Sequence, residues 1–254
     1  ELDMAFYFLH TDVDNYLGVK YLYRNFKLTR FKKRLAESQY ALSAIKAWNT
    51  LFIENHDQRR SAGRFGTDLE KYRVKSAKAL ATSYFLLQGT PFIYQGQEIG
   101  MQNMDYTSIA DFKDVETNNF YKTMQNSKIV KTFMGKHLFD TSRDNARTPM
   151  QWDSSYYAGF SEVEPWLKVN ANKNIINVKD SLNDSDSILN YYKKLIKIKK
   201  KYDVVRDGEF KLLYPHNNKL FIYTREDEKH VMLVIASFSK KNTKNVIKKK
   251  LLIN

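Results

Sequence analysis

Cysteine is absent from the 254 residues. Disulfide scaffolds, thiolate zinc sites and cysteine nucleophiles are thereby excluded, and a thiol-free chain suits a reducing compartment, so a cytoplasmic location is expected. Only nine glycines and four prolines punctuate the chain, with no low-complexity segment and no repeat at a solenoid period. No apolar run approaches the roughly 18 to 20 residues of a membrane span, so no membrane partner is expected. The start carries no basic segment followed by an apolar one, and no signal peptide is visible. The chain opens instead on Glu1 and passes directly into apolar residues, which reads as a piece of a longer protein. Acidic residues are few beside the basic ones, 28 against 42, for a formal charge of +14.

That excess invites a nucleic-acid reading, which the distribution of charge argues against. A nucleic-acid surface gathers its cations on one face, with stacking aromatics among them. Here the lysines are spread along the chain. The densest run, Tyr192 to Lys201, places Leu189, Tyr192, Leu195, Ile196 and Lys199 on one stripe with lysines around it. This is the solvated face of an amphipathic helix, and no nucleic-acid partner is expected. With 43% apolar and 28% charged residues, the chain is an ordinary globular one with a sizeable core.

The elements alternate. An apolar run spans Leu2 to Leu9, and Phe26 to Lys46 has helical periodicity with Phe31, Leu35, Tyr40, Leu42 and Ile45 inward. Thr50 to Glu54 reads as a strand, Lys71 to Leu87 as a helix, and Pro91 to Tyr94 as the next strand. This order marks an α/β sheet with parallel strands. A long polar stretch from Gln102 to about Ser181 is either functional or contains short helices. A helix follows over Ser187 to Lys201. After Asp207-Gly208 the pattern changes to short alternating runs, Phe210 to Leu213, Leu220 to Tyr223 and Val231 to Ile235, with a turn at Asn217-Asn218. These form an antiparallel β module.

Three polar blocks carry candidate chemistry. The first, Ile53-Glu54-Asn55-His56-Asp57-Gln58, sits where a strand ends, and in parallel α/β folds the carboxyl ends of strands hold the active site. The residues alone leave open a helix N-cap role for Asp57. The second, Gln95 to Gly100, follows the next strand, so the two blocks would face one pocket in a barrel. The third, Ser142 to Asp153, combines two arginines, two carboxylates and an indole, a set that suits a sugar site, where aromatics stack and guanidinium forks grip hydroxyls. It equally suits a structural loop held by Arg–Asp pairs.

The blocks Phe52 to Gln58, Gly89 to Met101, Ser142 to Asp153 and Ala158-Gly159-Phe160 resemble, in order and spacing, glycoside hydrolase family 13. Within it the likeness is to α-glucosidases of the oligo-1,6-glucosidase and maltase type, with trehalose-6-phosphate hydrolases and sucrose isomerases close by. The resemblance runs from end to end. It implies an α/β fold comprising the last strands and helices of a (β/α)8 barrel, residues 1–207, followed by a small, truncated antiparallel β domain, residues 208–254. The sixth barrel strand would lie around Leu2 to Phe8, the seventh at Thr50 to Glu54 and the eighth at Pro91 to Tyr94.

Members of the family hydrolyse with retention, using a carboxylate nucleophile and a general acid/base roughly 5 to 5.5 Å apart. The resemblance implies that both precede Glu1, so the missing N-terminal half of the barrel is the expected partner and a short oligosaccharide the expected substrate. Asp57 matches the family's third carboxylate, which holds ring hydroxyls and favours the positive charge of the transition state. His56 matches the histidine that bonds the same sugar. Arg143 matches the arginine closing the glucosyl pocket, with its usual carboxylate partner in the missing part, and Arg147 is expected to be a structural neighbour. Glu116 matches a rim position that contacts the leaving sugar, although the residues alone leave open a solvated surface acid. Gln58 favours hydrolysis over isomerisation. No cofactor is implied, and no residue of this chain is implied as a metal ligand, the family's usual metal loop lying in the missing part. A non-catalytic interaction domain is the reading from another class, against which the intact His56, Asp57 and Arg143 argue.

Overall fold

The computed structural model describes residues 4–126, 135 and 137–241. The chain runs through β1 (Met4–Ala5), β2 (Asn15–Tyr16), β3 (Val19–Tyr23), α1 (Leu28–Ala44), β4 (Trp48–Leu51), α2 (Ser61–Phe65), α3 (Glu70–Phe85) and β5 (Thr90–Pro91). Strand β4 lies between β1 and β5, parallel to both, with Met4 opposite Trp48 and Thr50 opposite Thr90. Crossover helices join the parallel strands, as this pairing requires. Gly89 enters β5 at a φ of +131°, where a Cβ would run into the Asn49 carbonyl of the neighbouring strand; only glycine permits that approach.

The long polar stretch is organised by short helices. They include α4 (Val115–Met124), α5 (Asp144–Arg147) and α6 (Val178–Asn183), with 3-10 turns before α4 and before α6. Helices α7 (Ile188–Lys201) and α8 (Asp203–Asp207) then lead to an antiparallel sheet of β6 (Glu209–Leu213), β7 (Leu220–Glu226) and β8 (Val231–Ser237). The fold expected from the sequence is therefore present as the closing part of a barrel with an antiparallel sheet behind it. Residues 2–3 and 242–254, which the expected sixth strand and β domain include, lie outside the described residues.

One apolar core runs through both parts. Phe31, Leu35, Leu80, Tyr84, Phe85 and Leu195 from the helices pack with Leu51 and Ile53, and with Phe221, Tyr223 and Val234 of the sheet. Two lysines reinforce the packing, Lys32 at the junction with the sheet and Lys199 between helices. The Lys32 ammonium, on the buried face of α1, donates to the carbonyls of Tyr214, Asn217 and Leu220 at 2.7, 2.6 and 3.2 Å. Burial lowers its pKa to about 8. Lys199 donates to the carbonyls of Phe85 and Leu87 at 3.2 and 2.6 Å, closing the C-terminal end of α3.

Two expectations are corrected. Tyr40 and Ile45 are exposed and Leu42 is half-buried, because the inward face of α1 is Leu28, Phe31, Lys32, Leu35, Ala36, Ser38 and Gln39. Its polar members satisfy their own hydrogen bonds: Ser38 bonds the Leu35 carbonyl and Gln39 exchanges bonds with Gln88. The strand read at Thr50 to Glu54 is a ladder over Trp48–Leu51. Phe52, Ile53 and Glu54 are buried beyond it, where the chain leaves the sheet. Beside Phe52, the rings of Phe6, Phe8 and Phe92 form an edge-to-face cluster with centroids 4.8 to 5.2 Å apart, and these three rings remain 37 to 49% exposed.

His10 is a buried neutral base in this core. Its Nε2 donates to the Phe52 carbonyl at 2.6 Å, and burial lowers its pKa to about 4. The unfolded chain takes up that proton near 6.5, so stability falls as the pH drops from 6.5 towards 4, by about 3 kcal/mol from this residue. Denaturant unfolding at pH 7 and pH 4 should show a loss that shrinks by that amount in His10→Gln; an equal loss in both would remove His10 as its origin.

Candidate active site

The turn after β4 is set by two charged residues that flank the first polar block. Glu54, with 1% of its side chain exposed, accepts from Arg60 Nη1 at 2.7 Å and from the Ser61 main chain and hydroxyl at 3.0 and 2.7 Å. Arg60 is equally buried. Its remaining donors reach the carbonyls of Gln95 at 2.6 Å, Asn145 at 3.3 Å and Ala146 at 3.1 Å, and the Met101 sulfur. The three polar blocks of the sequence thus meet on one guanidinium. On the other side of the turn Asp14, 1% exposed, holds Arg64 through both oxygens and Arg59 at 2.6 Å. Burial would raise its pKa, and these arginines override that and lower it. Arg64 also donates to the Gln58 side chain, which fixes the residue after Asp57.

Asn55 closes the turn, its side chain accepting from the Asp57 amide at 2.9 Å and its carbonyl from the Gln58 amide at 3.3 Å. Asp57 caps no helix, since α2 begins at Ser61 with Arg60 at the cap position. Its carboxylate is 45% exposed and gathers three partners. Arg147 Nη2 lies 3.0 Å from Oδ1, Arg143 Nη1 3.4 Å from the same oxygen, and His56 Nε2 3.2 Å from Oδ2.

Arg143 has its strongest contact elsewhere. It donates to Asp114 Oδ1 from Nε at 3.0 Å and from Nη2 at 2.5 Å, and its Nε stands 3.3 Å from Glu116 Oε2. Asp114 is the N-cap of α4, accepting from the Glu116 amide, and its other oxygen accepts from the Thr117 hydroxyl at 2.8 Å. Burial would raise its pKa, but the bonds from Arg143 and Thr117 prevail and hold it at about 2. Asp114, followed by burial acting the other way, raises the pKa of Arg143. Glu116, 43% exposed, also bonds Lys20 of β3 at 3.1 Å. The buried Asp144 carboxylate accepts from the amides of Lys113 and Asp114 at 2.7 and 2.9 Å, joining α5 to the start of α4.

The structure therefore brings His56, Asp57, Arg143 and Glu116 together in one charged cluster with alternating signs. Arg143 has a carboxylate partner within this chain, Asp114, which sequence reasoning missed although its Asp-x-x-Thr spacing marks a helix cap. Arg147, expected to be a structural neighbour, touches Asp57 directly. A cleft of about 700 Å³ between α3 and the strands β7 and β8 contains none of these residues. Among the described residues no group of three or more His, Asp or Glu side chains is placed to hold a metal, and no helix is long and apolar enough to cross a membrane.

The charged cluster stands at the carboxyl end of a parallel strand, where parallel α/β folds place their active sites. The family model described as alpha amylase, catalytic domain, matches residues 1–208, and the chain belongs to the alpha-amylase family. It is similar to the oligo-1,6-glucosidase of Parageobacillus thermoglucosidasius, with 44% identity over 95% of this chain and 43% of that protein. Among solved structures, trehalose-6-phosphate hydrolase of Bacillus licheniformis superposes with a TM-score of 0.90 at 40% identity, over 94% of this chain and 43% of that one. Isomaltulose synthase from Klebsiella sp. LX3 gives 0.90 at 35% identity with the same coverage. The chain spans less than half the length of the relatives it matches.

The Asp114–Arg143 pair carries a pH signature. A carboxylate depressed from 3.8 to about 2 gives stability that is fully present above pH 3.8 and lost as the pH falls through 2. The difference in unfolding free energy between the native chain and Asp114→Asn should be constant above pH 4 and shrink below it. A difference that begins to shrink near pH 5 would contradict the assignment.

Proposed function

We propose that this chain is the C-terminal part of a retaining α-glucosidase that releases terminal α-linked glucose from short oligosaccharides. Residues 1–207 are the end of its catalytic barrel and residues 208–254 belong to its β domain. The observation that carries this reading is the convergence of His56, Arg143 and Arg147 on the half-exposed Asp57 carboxylate at the end of a barrel strand. In this reading Asp57 and His56 hold the hydroxyls of the glucosyl ring, and the fixed carboxylate favours the positive charge that builds as the glycosidic bond breaks. Arg143, anchored by Asp114, closes the far end of the glucosyl pocket. Glu116, steered by Lys20, faces the leaving sugar at the rim.

The nucleophile and the general acid/base are assigned to the part of the protein that precedes Glu1. The likeness to oligo-1,6-glucosidases supports an α-1,6 or α-1,4 linkage. A phosphorylated disaccharide is the second reading, supported by the likeness to trehalose-6-phosphate hydrolase. The absence of thiols accords with a cytoplasmic site of action.

Nitrophenol release from 4-nitrophenyl α-glucoside tests the proposal. The chain alone should release none. Mixing it with the N-terminal portion of the Parageobacillus relative should restore release, and Asp57→Asn in that mixture should lower kcat/KM by roughly 10²-fold or more. Release by the chain alone that Asp57→Asn abolishes would place the reacting carboxylates within this chain and sink the assignment. The rings of Phe6, Phe8 and Phe92 remain exposed just beyond β1 and β5, the outer strands of the parallel sheet, and form an apolar patch, so the isolated chain should also sediment as an associated species, and the complementing portion should suppress this. A stable monomer with one sharp melt would contradict it.

A further inference from the structure

We infer that Arg147 is the positioning residue of the candidate sugar pocket, fixing side chain and main chain of the His56–Asp57 segment together. The inference rests on the functional reading of Asp57 above. One guanidinium makes both contacts: Nη2 meets Asp57 Oδ1 at 3.0 Å and Nε donates to the His56 carbonyl at 2.9 Å. Because the donors of a guanidinium lie in one rigid plane, the pair of contacts fixes the carboxylate relative to the peptide that precedes it. Arg143 does not compete for this role. It reaches the same oxygen at 3.4 Å, while its short contact, 2.5 Å, is with Asp114.

Both ends of the bridge are tied to the same buried group. Arg147 ends α5, and the carbonyls just before it, Asn145 and Ala146, accept from Arg60 at 3.3 and 3.1 Å. The Tyr94 hydroxyl donates to Ala146 as well, at 3.1 Å. On the other side Arg60 holds Glu54, three positions before Asp57, at 2.7 Å. The separation between Arg147 and Asp57 is thus set by the scaffold before any sugar arrives. Asp57 Oδ1 is committed to the arginines and Oδ2 lies beside His56, and the carboxylate, 45% exposed, presents its remaining acceptor directions outward. Preorganisation of this kind removes the cost of orienting the carboxylate during the reaction. Arg147 does this through Asp57, without touching the reacting atoms.

Amide hydrogen exchange of the chain reads the proposal directly. The amides of Asp57 and Gln58, held by Asn55, should exchange at least roughly 10-fold faster in Arg147→Gln, while those of β7 stay unchanged. Arg147→Lys, able to keep one contact but not both, should be intermediate. Unchanged exchange at Asp57 and Gln58 in Arg147→Gln would overturn the inference. If that variant also loosens β7, Arg147→Lys decides in its place, and wild-type exchange there would overturn it. In the mixture with the N-terminal portion, Arg147→Gln should lower kcat roughly 10²-fold with KM nearly unchanged, whereas an unchanged kcat would overturn it. A silent wild-type mixture would count against the proposed function alone, because the exchange measurement needs no turnover.

Discussion

The buried pair of Arg60 and Glu54 is the interaction on which the site depends. Removing a guanidinium and a carboxylate from water costs several kcal/mol per ion, and attraction offsets this only where the remaining donors and acceptors are satisfied. Here they are. All five donors of Arg60 have acceptors: Nη1 serves Glu54 and Gln95, Nε serves Asn145, and Nη2 serves Ala146 and the Met101 sulfur. The pair therefore does more than stabilise one turn. It fixes where three separate stretches of chain stand relative to one another, and the exposed functional groups are arranged on the surface it defines.

Around that centre the charges form successive pairs whose partners come from different elements. Asp14 binds two arginines behind the turn; Asp114, capped into α4, binds Arg143; Lys20 from the β2–β3 hairpin reaches Glu116. Asp14 and Asp114 have lowered pKa values because the bonds from their arginines, with that of Thr117 on Asp114, outweigh desolvation. Only the outermost acids, Asp57 and Glu116, keep nearly half their surface in solvent. The gradient from fully buried to half-exposed carboxylates separates groups that build the site from groups available to a ligand.

Much of the fold was legible because periodicity and strand order report directly on burial. Parallel pairing of β4 with β5 and the antiparallel sheet at the end were both visible in the alternation of short apolar runs. The ends of elements were not. Tyr40 and Ile45 share helical spacing with Phe31 and Leu35, yet polar residues that satisfy themselves, Lys32 and Gln39, take the buried places. The candidate site was legible as three polar blocks, since consecutive polar residues at strand ends are conspicuous. What joins them was not legible. Arg60 and Asp114 act through contacts with residues tens of positions away, and a single arginine or aspartate in a polar stretch has no local signature of such a role.

Lys32 has a consequence for the order in which this chain acquires its structure. Its three carbonyl partners lie 182 to 188 residues further along the sequence. During synthesis α1 leaves the ribosome long before those carbonyls exist, so its inward face must wait with a hydrated ammonium in the middle of its apolar stripe. Contacts of such separation are slow to form and arrive late. The β6–β7 loop is consequently the latch for a helix made well before it, and the strands appended behind the barrel are part of what completes it.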